Sequence, residues 1–309
     1  MKTNFIDNVI ASEKAPICIS LNVRLEDVPD FIKRHAFVEE VSPFKGAADA
    51  VLGYTKKIVD VIAPLVSTVS LNKAYYDVFG VDGYQAYINI IDYVHSKGLF
   101  FIADDNVGGG KELCDVMSRS YLGEMEMSGS GEGQEFVVPL YDVDAVTLNP
   151  YFGGKTIKPF LKEAGDYSKG VFVTVNSKDS LVGDVQKLDI EGGLVVSDIV
   201  AHYVESFGDD YLLESGYSLL GAIFSPNSEF ESKKMRETMT NTLFLVKDVE
   251  VDEINYYFSS LNKDGKGALL VVDKITTAYK ANKDLDPLAF EKAVRLRCSE
   301  FISALKKSD

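Results

Sequence analysis

The chain has 309 residues, of which 46% are hydrophobic, 26% charged and 11% aromatic, and its formal net charge is −15. This composition is typical of a globular protein, long enough for one large barrel or two small domains. The negative charge argues against nucleic acid or an anionic membrane as a partner, since phosphate groups would be repelled. No apolar run approaches the roughly 20 residues of a membrane span, so no membrane segment is expected.

The cysteines and the N-terminal segment bear on the cellular compartment. Cys18, Cys114 and Cys298 are far apart in the sequence and odd in number, so they form neither a disulfide framework nor a metal-ligand spacing. Residues 1–7 lack the long apolar core of a signal peptide. The sequence therefore predicts a cytoplasmic protein in a reducing environment, with no metal site.

Short apolar runs rich in Val, Ile, Leu and Phe recur along the whole chain. Each is nearly continuous, as expected of a strand buried on both faces of a parallel sheet. Amphipathic stretches with apolar residues three or four apart lie between them, and these predict helices. The eight runs are Ile17 to Leu21, Val66 to Leu71, Leu99 to Ala103, Ala145 to Leu148, Val171 to Val175, Leu219 to Phe224, Leu243 to Val246 and Ala268 to Val272.

Eight strands alternating with helices predict an α/β fold, a closed (β/α)8 TIM barrel, with a doubly wound open sheet as the alternative. No change of composition suggests a second domain, so residues 1–309 are expected to form one barrel domain. The segment from Ser128 to Gly133 is expected to be a flexible loop between a helix and the next strand. A last helix is expected from Pro287 to Lys307. Its predicted inward side chains are Leu288, Ala289, Ala293, Leu296, Phe301 and Leu305.

Ligands of such barrels bind at the carboxyl ends of the strands, so the residues after each apolar run are the ones to inspect. Gly108, Gly109 and Gly110 follow the third run, but they lack the spacing of a nucleotide-binding loop and favour a plain flexible connection. No histidine falls at a strand end, which argues against histidine catalysis. His35, His95 and His202 are all expected on helices or loops.

The segment around the fourth strand end carries a recognisable pattern. Val146 to Gly154 reads VTLNPYFGG, and Ile157 to Leu161 reads IKPFL. This pattern resembles the fourth-strand signature of the longer bacterial orotidine 5'-monophosphate decarboxylases. Weaker similarities run in order from about residue 5 to residue 280, so the resemblance covers nearly the whole chain.

The resemblance implies a cofactor-free decarboxylase of pyrimidine biosynthesis, with a Lys-Asp-Lys-Asp charge array completed across a dimer. Carried onto this chain, the first lysine is Ser70 and the first aspartate is retained as Asp104. The catalytic lysine, which protonates the carbanion, becomes Asn106, and the second aspartate becomes Gly109. The residue types that the family reaction needs are therefore mostly missing.

The binding positions that the resemblance implies depart as well. The family's ribose-binding aspartate is Asn22 here, and its pyrimidine-contacting turn reads Ser177 to Ser180. Its glycine-rich phosphate loop is replaced by Lys247 to Asp252, and its phosphate-gripping arginine is Lys274. The remaining ligand-binding candidates lie in matching segments; they are Asn72, Asn149 and Gln186.

Three interpretations stay open. The first is a barrel that has lost decarboxylation and acts as a binding or regulatory protein, as a homodimer or paired with an active paralogue, with a nucleotide as its doubtful ligand. The second is an active decarboxylase in which Lys73, Lys111 or Lys178 serves with Asp104. The third is an acidic barrel mouth that binds a cation or an amine. Its carboxylates would be Asp104, Asp105, Asp179, Asp248, Glu250 and Asp273.

Overall fold

The computed structural model describes residues 3–37, 42–128, 135–178, 183–190, 192–281 and 287–306. Its strands are β1 Ala15–Ser20, β2 Val66–Leu71, β3 Phe100–Val107, β4 Met125–Ser128, β5 Glu135–Val138, β6 Ala145–Leu148, β7 Gly170–Thr174, β8 Asp189–Ile190, β9 Leu194–Val195, β10 Leu220–Phe224, β11 Phe244–Val246 and β12 Ala268–Val272.

Helices follow the barrel strands along the chain. They are α1 Phe5–Ala11, α2 Asp30–Phe37, α3 Pro43–Ile62, α4 Ala74–Asp77, α5 Gly80–Ser96, α6 Lys111–Tyr121, α7 Lys158–Tyr167, α8 Gly183–Gln186, α9 Val196–Gly208, α10 Glu229–Thr238, α11 Ile254–Phe258 and α12 Pro287–Lys306. Among the helices that the structure describes, none is long and apolar enough to cross a membrane.

Eight of the strands close into a barrel in the order β1-β12-β11-β10-β7-β6-β3-β2. The pairs are parallel, as in the register of Leu220 with Val171 between β10 and β7. The predicted (β/α)8 barrel is therefore confirmed, and the open-sheet alternative is wrong. Each of the eight apolar runs forms a barrel strand, and the principal difference is β3, which continues past Ala103 to Val107.

Two compact units divide the chain. We call Met1–Ser12 with Asn106–Leu270 the central unit, and Glu13–Asp105 with Val271–Asp309 the flanking unit, after their places in the sequence. That residues 1–309 form a single domain stays a prediction. In the central unit, Gly221 of β10 is required by packing. A Cβ there would lie 2.4 Å from the Phe172 ring and 2.8 Å from the Leu243 carbonyl oxygen.

Two sequence predictions about local structure are wrong. The segment beginning at Ser128 is not a simple helix-to-strand loop, because Ser128 ends β4 and that strand pairs antiparallel with β5; residues 129–134 lie outside the described ranges. In α12, Leu296 is 52% exposed rather than inward. The buried stripe of this helix comprises Phe290, Ala293, Val294, Cys298 and Phe301. The predicted inward positions of Ala293 and Phe301 are therefore confirmed, whereas the spacing of three and four residues excludes position 296.

Candidate functional site at the strand ends

Two asparagines tie together the ends of β1, β2 and β3 in the flanking unit. The Asn72 backbone N–H donates to Asn22 Oδ1 at 2.9 Å, and Asn72 Nδ2 donates to the Asp104 carbonyl oxygen at 2.6 Å. Asn72 Oδ1 also accepts from the Ala74 N–H at 2.9 Å. The structure therefore brings three predicted site residues together, but Asn22 and Asn72 use their side chains on the backbone of the fold.

The two family charge positions of this unit differ in what they retain. Ser70 is a buried residue of β2, and its carbonyl oxygen accepts from the Leu21 N–H at 2.7 Å. Asp104 is a residue of β3 with only 7% of its surface exposed. A serine cannot supply the ammonium that the resemblance implies at position 70. A carboxylate thus remains where one is implied, without the first cation of the array.

Lys73 is the nearest lysine along the chain to Ser70. Its backbone N–H donates to Asp105 Oδ1 at 2.6 Å, and its Nζ lies 2.5 Å from Asp77 Oδ2, one helical turn ahead. The Lys73 ammonium is thus held at the start of α4 by a carboxylate of its own turn.

Lys274 stands where the resemblance implies a phosphate-binding arginine. It is exposed and adopts a left-handed φ of 62° just before the 3-10 helix Ile275–Ala281.

In the central unit, Asn106 lies at the end of β3 in a left-handed conformation with φ of 47°. Its backbone N–H donates to Thr147 Oγ1 at 2.8 Å, and its Oδ1 accepts a hydrogen bond from Thr174 Oγ1. Sequence reasoning missed both threonines. They lie within the apolar runs that form β6 and β7. The only sequence feature that could have marked them as site residues is a single hydroxyl in an otherwise apolar run.

The glycines after β3 form a short connection to α6. A Cβ on Gly108 would lie 3.3 Å from the Asn149 carbonyl oxygen and from the Phe152 ring. Asn149 is exposed, and its Oδ1 accepts from the Tyr151 N–H at 3.0 Å to begin the 3-10 turn Pro150–Phe152. Gly109 needs no glycine for a special φ, and a Cβ there would meet only the flexible end of Leu113. The Asn149 side chain therefore stabilises the 3-10 turn Pro150–Phe152.

The surroundings of Lys111 do not support a catalytic role for this lysine. It begins α6 with its side chain 81% exposed, and its Nζ lies 2.7 Å from Asp115 Oδ2, one turn along the same helix. The hydrogen bond to Asp115 raises the pKa of Lys111 above its usual value. It is therefore a protonated surface lysine in an ordinary i,i+4 pair.

The predicted pair Ser177 and Gln186 does come together. The Ser177 N–H donates to Gln186 Oε1 at 2.9 Å, which joins the end of β7 to α8. Both residues are partly exposed. Asp179 and Ser180, the rest of the predicted pyrimidine-contacting turn, lie outside the described residues.

A further set of charged and polar groups joins the chain after β7, β10 and β11. Lys178 Nζ donates to the Asp248 carbonyl oxygen at 2.7 Å and to Glu253 Oε2 at 3.2 Å. The Asp248 carboxylate accepts from Ser225 Oγ at 2.6 Å. We call Lys178, Ser225, Asp248 and Glu253 the Lys178 clasp. It brings two carboxylates and one ammonium together around Lys247 to Asp252, the segment predicted to replace the family's phosphate loop.

The backbone of the same loop is also unlike a phosphate cradle. Asp248 has a left-handed φ of 58°, and Val249 is buried with 4% of its surface exposed. Lys247 donates its backbone N–H to the Phe224 carbonyl oxygen at 2.9 Å. A phosphate loop relies on glycines that turn successive N–H groups toward the anion, and glycine is absent from Lys247 to Asp252.

Within the part of the chain that the structure describes, no group of three or more His, Cys, Asp or Glu residues could hold a metal ion. The acidic-mouth interpretation thus gains no support from the described carboxylates. His35, His95 and His202 lie on α2, α5 and α9, as predicted.

The fold places the chain among the (β/α)8 barrels with a polar set of strand ends. In sequence it is 27% identical over 297 residues to orotidine 5'-phosphate decarboxylase of Clostridium perfringens strain SM101, covering 92% of each chain. It is 26% identical over 267 residues to the enzyme of the same name from Caldicellulosiruptor saccharolyticus, covering 84% of this chain and 85% of that one. No family model matches.

Solved structures of orotidine monophosphate decarboxylases share the fold of this chain. Leishmania donovani OMP decarboxylase superposes with a TM-score of 0.71 at 17% identity, covering 98% of this chain and 99% of that chain. A putative orotidine-monophosphate-decarboxylase from Toxoplasma gondii gives 0.73 at 16% identity, covering 99% and 98%. The chain is thus related to the orotidine 5'-phosphate decarboxylases along nearly its whole length, as its motifs predict.

Proposed function

We propose that the chain is a non-catalytic relative of orotidine 5'-phosphate decarboxylase that no longer converts orotidine monophosphate to uridine monophosphate and CO2. Asn106 carries this proposal. Decarboxylation leaves a carbanion, and a neighbouring ammonium both stabilises the charge and delivers the proton. The amide of Asn106 has no charge and no proton to transfer near neutral pH, and its oxygen is engaged by Thr174.

Ion pairing of the candidate replacement lysines supports the same conclusion. Lys73 pairs with Asp77, Lys111 with Asp115, and Lys178 with Glu253. A lysine used in this reaction needs to present its ammonium to the reacting carbon. Of the three, Lys73 and Lys178 are the stronger alternatives, because their side chains are 24% and 23% exposed and both follow barrel strands, whereas the Lys111 side chain is 81% exposed.

Turnover and ligand binding test this proposal. We expect no uridine monophosphate from orotidine monophosphate, and no binding heat in calorimetry with either uridine monophosphate or 6-hydroxyuridine monophosphate, which mimics the carbanion. The orotidine 5'-phosphate decarboxylase of Clostridium perfringens serves as the positive control. Turnover by the chain, or much tighter binding of the mimic than of the product, would contradict the proposal. Loss of that turnover in Lys178→Met would assign it to Lys178.

We also propose that the chain pairs through the surface beside the fourth strand end, with a second copy or with an active paralogue. Four large apolar side chains of the central unit are exposed there on α6 and the adjoining 3-10 turn. They are Leu113 at 50%, Val116 at 48%, Tyr151 at 79% and Phe152 at 55%. Exposed apolar side chains grouped in this way are typical of an interface.

We expect Leu113→Glu to convert a dimer to a monomer in light scattering, because a carboxylate in an apolar interface is left without solvent. Leu296→Glu is the matched control, since Leu296 is 52% exposed on α12. A dimer that survives Leu113→Glu, or one that Leu296→Glu disrupts equally, would show that this surface is not the interface. If the wild-type chain is a monomer by itself, the active paralogue is the partner to test.

A further inference from the structure

The β4–β5 hairpin presents an apolar face. Its register pairs Met125 with Val138 and Met127 with Phe136. Because side chains alternate between the faces of a strand, these four share one face. Met127 is 52% exposed, Phe136 54% and Val138 40%. Large apolar side chains grouped on one exposed sheet face are typical of an interaction surface.

The opposite face of the hairpin is mixed in character. Glu126 pairs with Val137, so these two side chains lie on the side away from Phe136, and Val137 is 53% exposed. The sheet has two strands, which gives each strand an outer edge. Such an edge accepts an extended peptide through main-chain hydrogen bonds. The hairpin thus offers an edge for pairing as well as an apolar face.

A groove of about 610 Å³ adjoins the hairpin, between the residues that lead into and out of it and the end of α7. Its charged lining consists of Glu124, Asp142, Asp166 and Lys169, which is three carboxylates to one ammonium. Lys169 lies 2.7 Å from Asp142 Oδ1, and Asp166 pairs with Lys162 at 3.0 Å.

Glu124 differs from the other groove carboxylates in its hydrogen-bond partner. Tyr167 Oη donates to Glu124 Oε2 at 3.3 Å. Desolvation, followed by the charge of Glu124, raises the pKa of Tyr167, so this hydroxyl stays protonated and neutral. The bond leaves the negative charge of Glu124 uncompensated by Tyr167, and a basic side chain in the groove would complement it.

We propose that this hairpin and groove bind an extended segment of another protein in which basic residues alternate with apolar ones. The apolar residues pack on Met127 and Phe136, while a basic residue enters the groove toward Glu124. A second copy of the chain fits this surface poorly, because it would bring its own Glu124 and Glu126 to the contact.

A labelled peptide of alternating lysine and valine tests the proposal by fluorescence anisotropy with the full chain at low salt. We expect binding that weakens as salt is raised. Phe136→Ser and Glu124→Gln should each raise the Kd by at least about tenfold, a loss of roughly 1.4 kcal/mol. Phe230→Ser is the matched control, because Phe230 is 77% exposed on α10, and it should leave the Kd unchanged.

Three outcomes would overturn the proposal. They are no binding of the lysine peptide, equal binding of a peptide with glutamate in place of lysine, or equal binding by the wild type and both hairpin-groove variants. The last would show only general attraction of a cation to an acidic protein. Dissociation of a dimer by Phe136→Ser would instead assign the surface to a second copy. None of these outcomes depends on whether the chain turns over orotidine monophosphate.

Discussion

Replacing Arg236 by alanine is expected to lower the free energy of unfolding by about 3–5 kcal/mol. The guanidinium is buried with 8% of the residue exposed and stacks 3.8 Å from the centre of the Phe244 ring. Burial lowers its pKa to about 10, so it remains charged at neutral pH. Its hydrogen bonds of 2.7–3.0 Å go to the carbonyl oxygens of Ser260, Met239, Thr242 and Gly267.

Alanine would remove the Arg236 donor from these four carbonyl oxygens. The Gly267 oxygen would keep the Phe244 N–H, which donates to it at 2.9 Å, and each buried acceptor left unsatisfied carries a cost. Chemical denaturation measures the change directly, and a fall in Tm of about 10 °C should accompany it. Arg119→Ala is the matched control, since Arg119 is exposed on α6 and its Nε donates to the Asp115 carbonyl oxygen at 3.1 Å. Its change should stay below about 0.5 kcal/mol. If the Arg236 and Arg119 variants unfold alike, the buried guanidinium does not stabilise the fold.

Changing Asp248 to asparagine is expected to raise the affinity for uridine monophosphate by up to about 100-fold. A carboxylate about 5 Å from a phosphate charge costs on the order of 3 kcal/mol at an effective dielectric near 20. Asp248 lies in the segment that the sequence predicts to replace the family's phosphate loop. Asparagine keeps an oxygen that can accept from Ser225 Oγ, so the substitution removes charge and preserves the Lys178 clasp.

Calorimetry with uridine monophosphate compares the wild type with this variant. Asp264→Asn is the control, because it removes one negative charge elsewhere in the central unit, beside Asn262. We expect binding heat only for Asp248→Asn. An equal gain from Asp264→Asn would mean that the overall charge excludes the nucleotide. No gain from either would mean that the backbone of the loop, rather than the carboxylate, has closed the phosphate position.

The barrel strands follow from local sequence, whereas the contacts at their ends do not. The runs Val66–Leu71 and Ala268–Val272 match β2 and β12 residue for residue, because buried parallel strands require continuous apolar sequence. β3 ran longer than expected because Asp104, Asp105 and Asn106 are polar yet extend the strand. The pattern of apolar residues cannot show whether the polar residues that follow an apolar run still belong to the strand.

Hydrogen bonds between residues far apart in the sequence leave no local pattern from which they could be predicted. The bond between Asn22 and Asn72 joins residues 50 positions apart, and that between Lys178 and Asp248 joins residues 70 apart. The β4–β5 hairpin was hidden for a different reason. Met125 to Ser128 alternates apolar and polar residues over only four positions, which is too short a run to distinguish a strand from a loop.

The left-handed backbone at Asn106 disfavours a lysine at this position. Asparagine tolerates φ of 47° better than most residues because its short amide can bond locally, while a lysine there would carry the steric cost of its Cβ. A lysine would also lack the oxygen that accepts from Thr174. Placing an ammonium at this position would therefore require the turn and its hydroxyl partner to change with it.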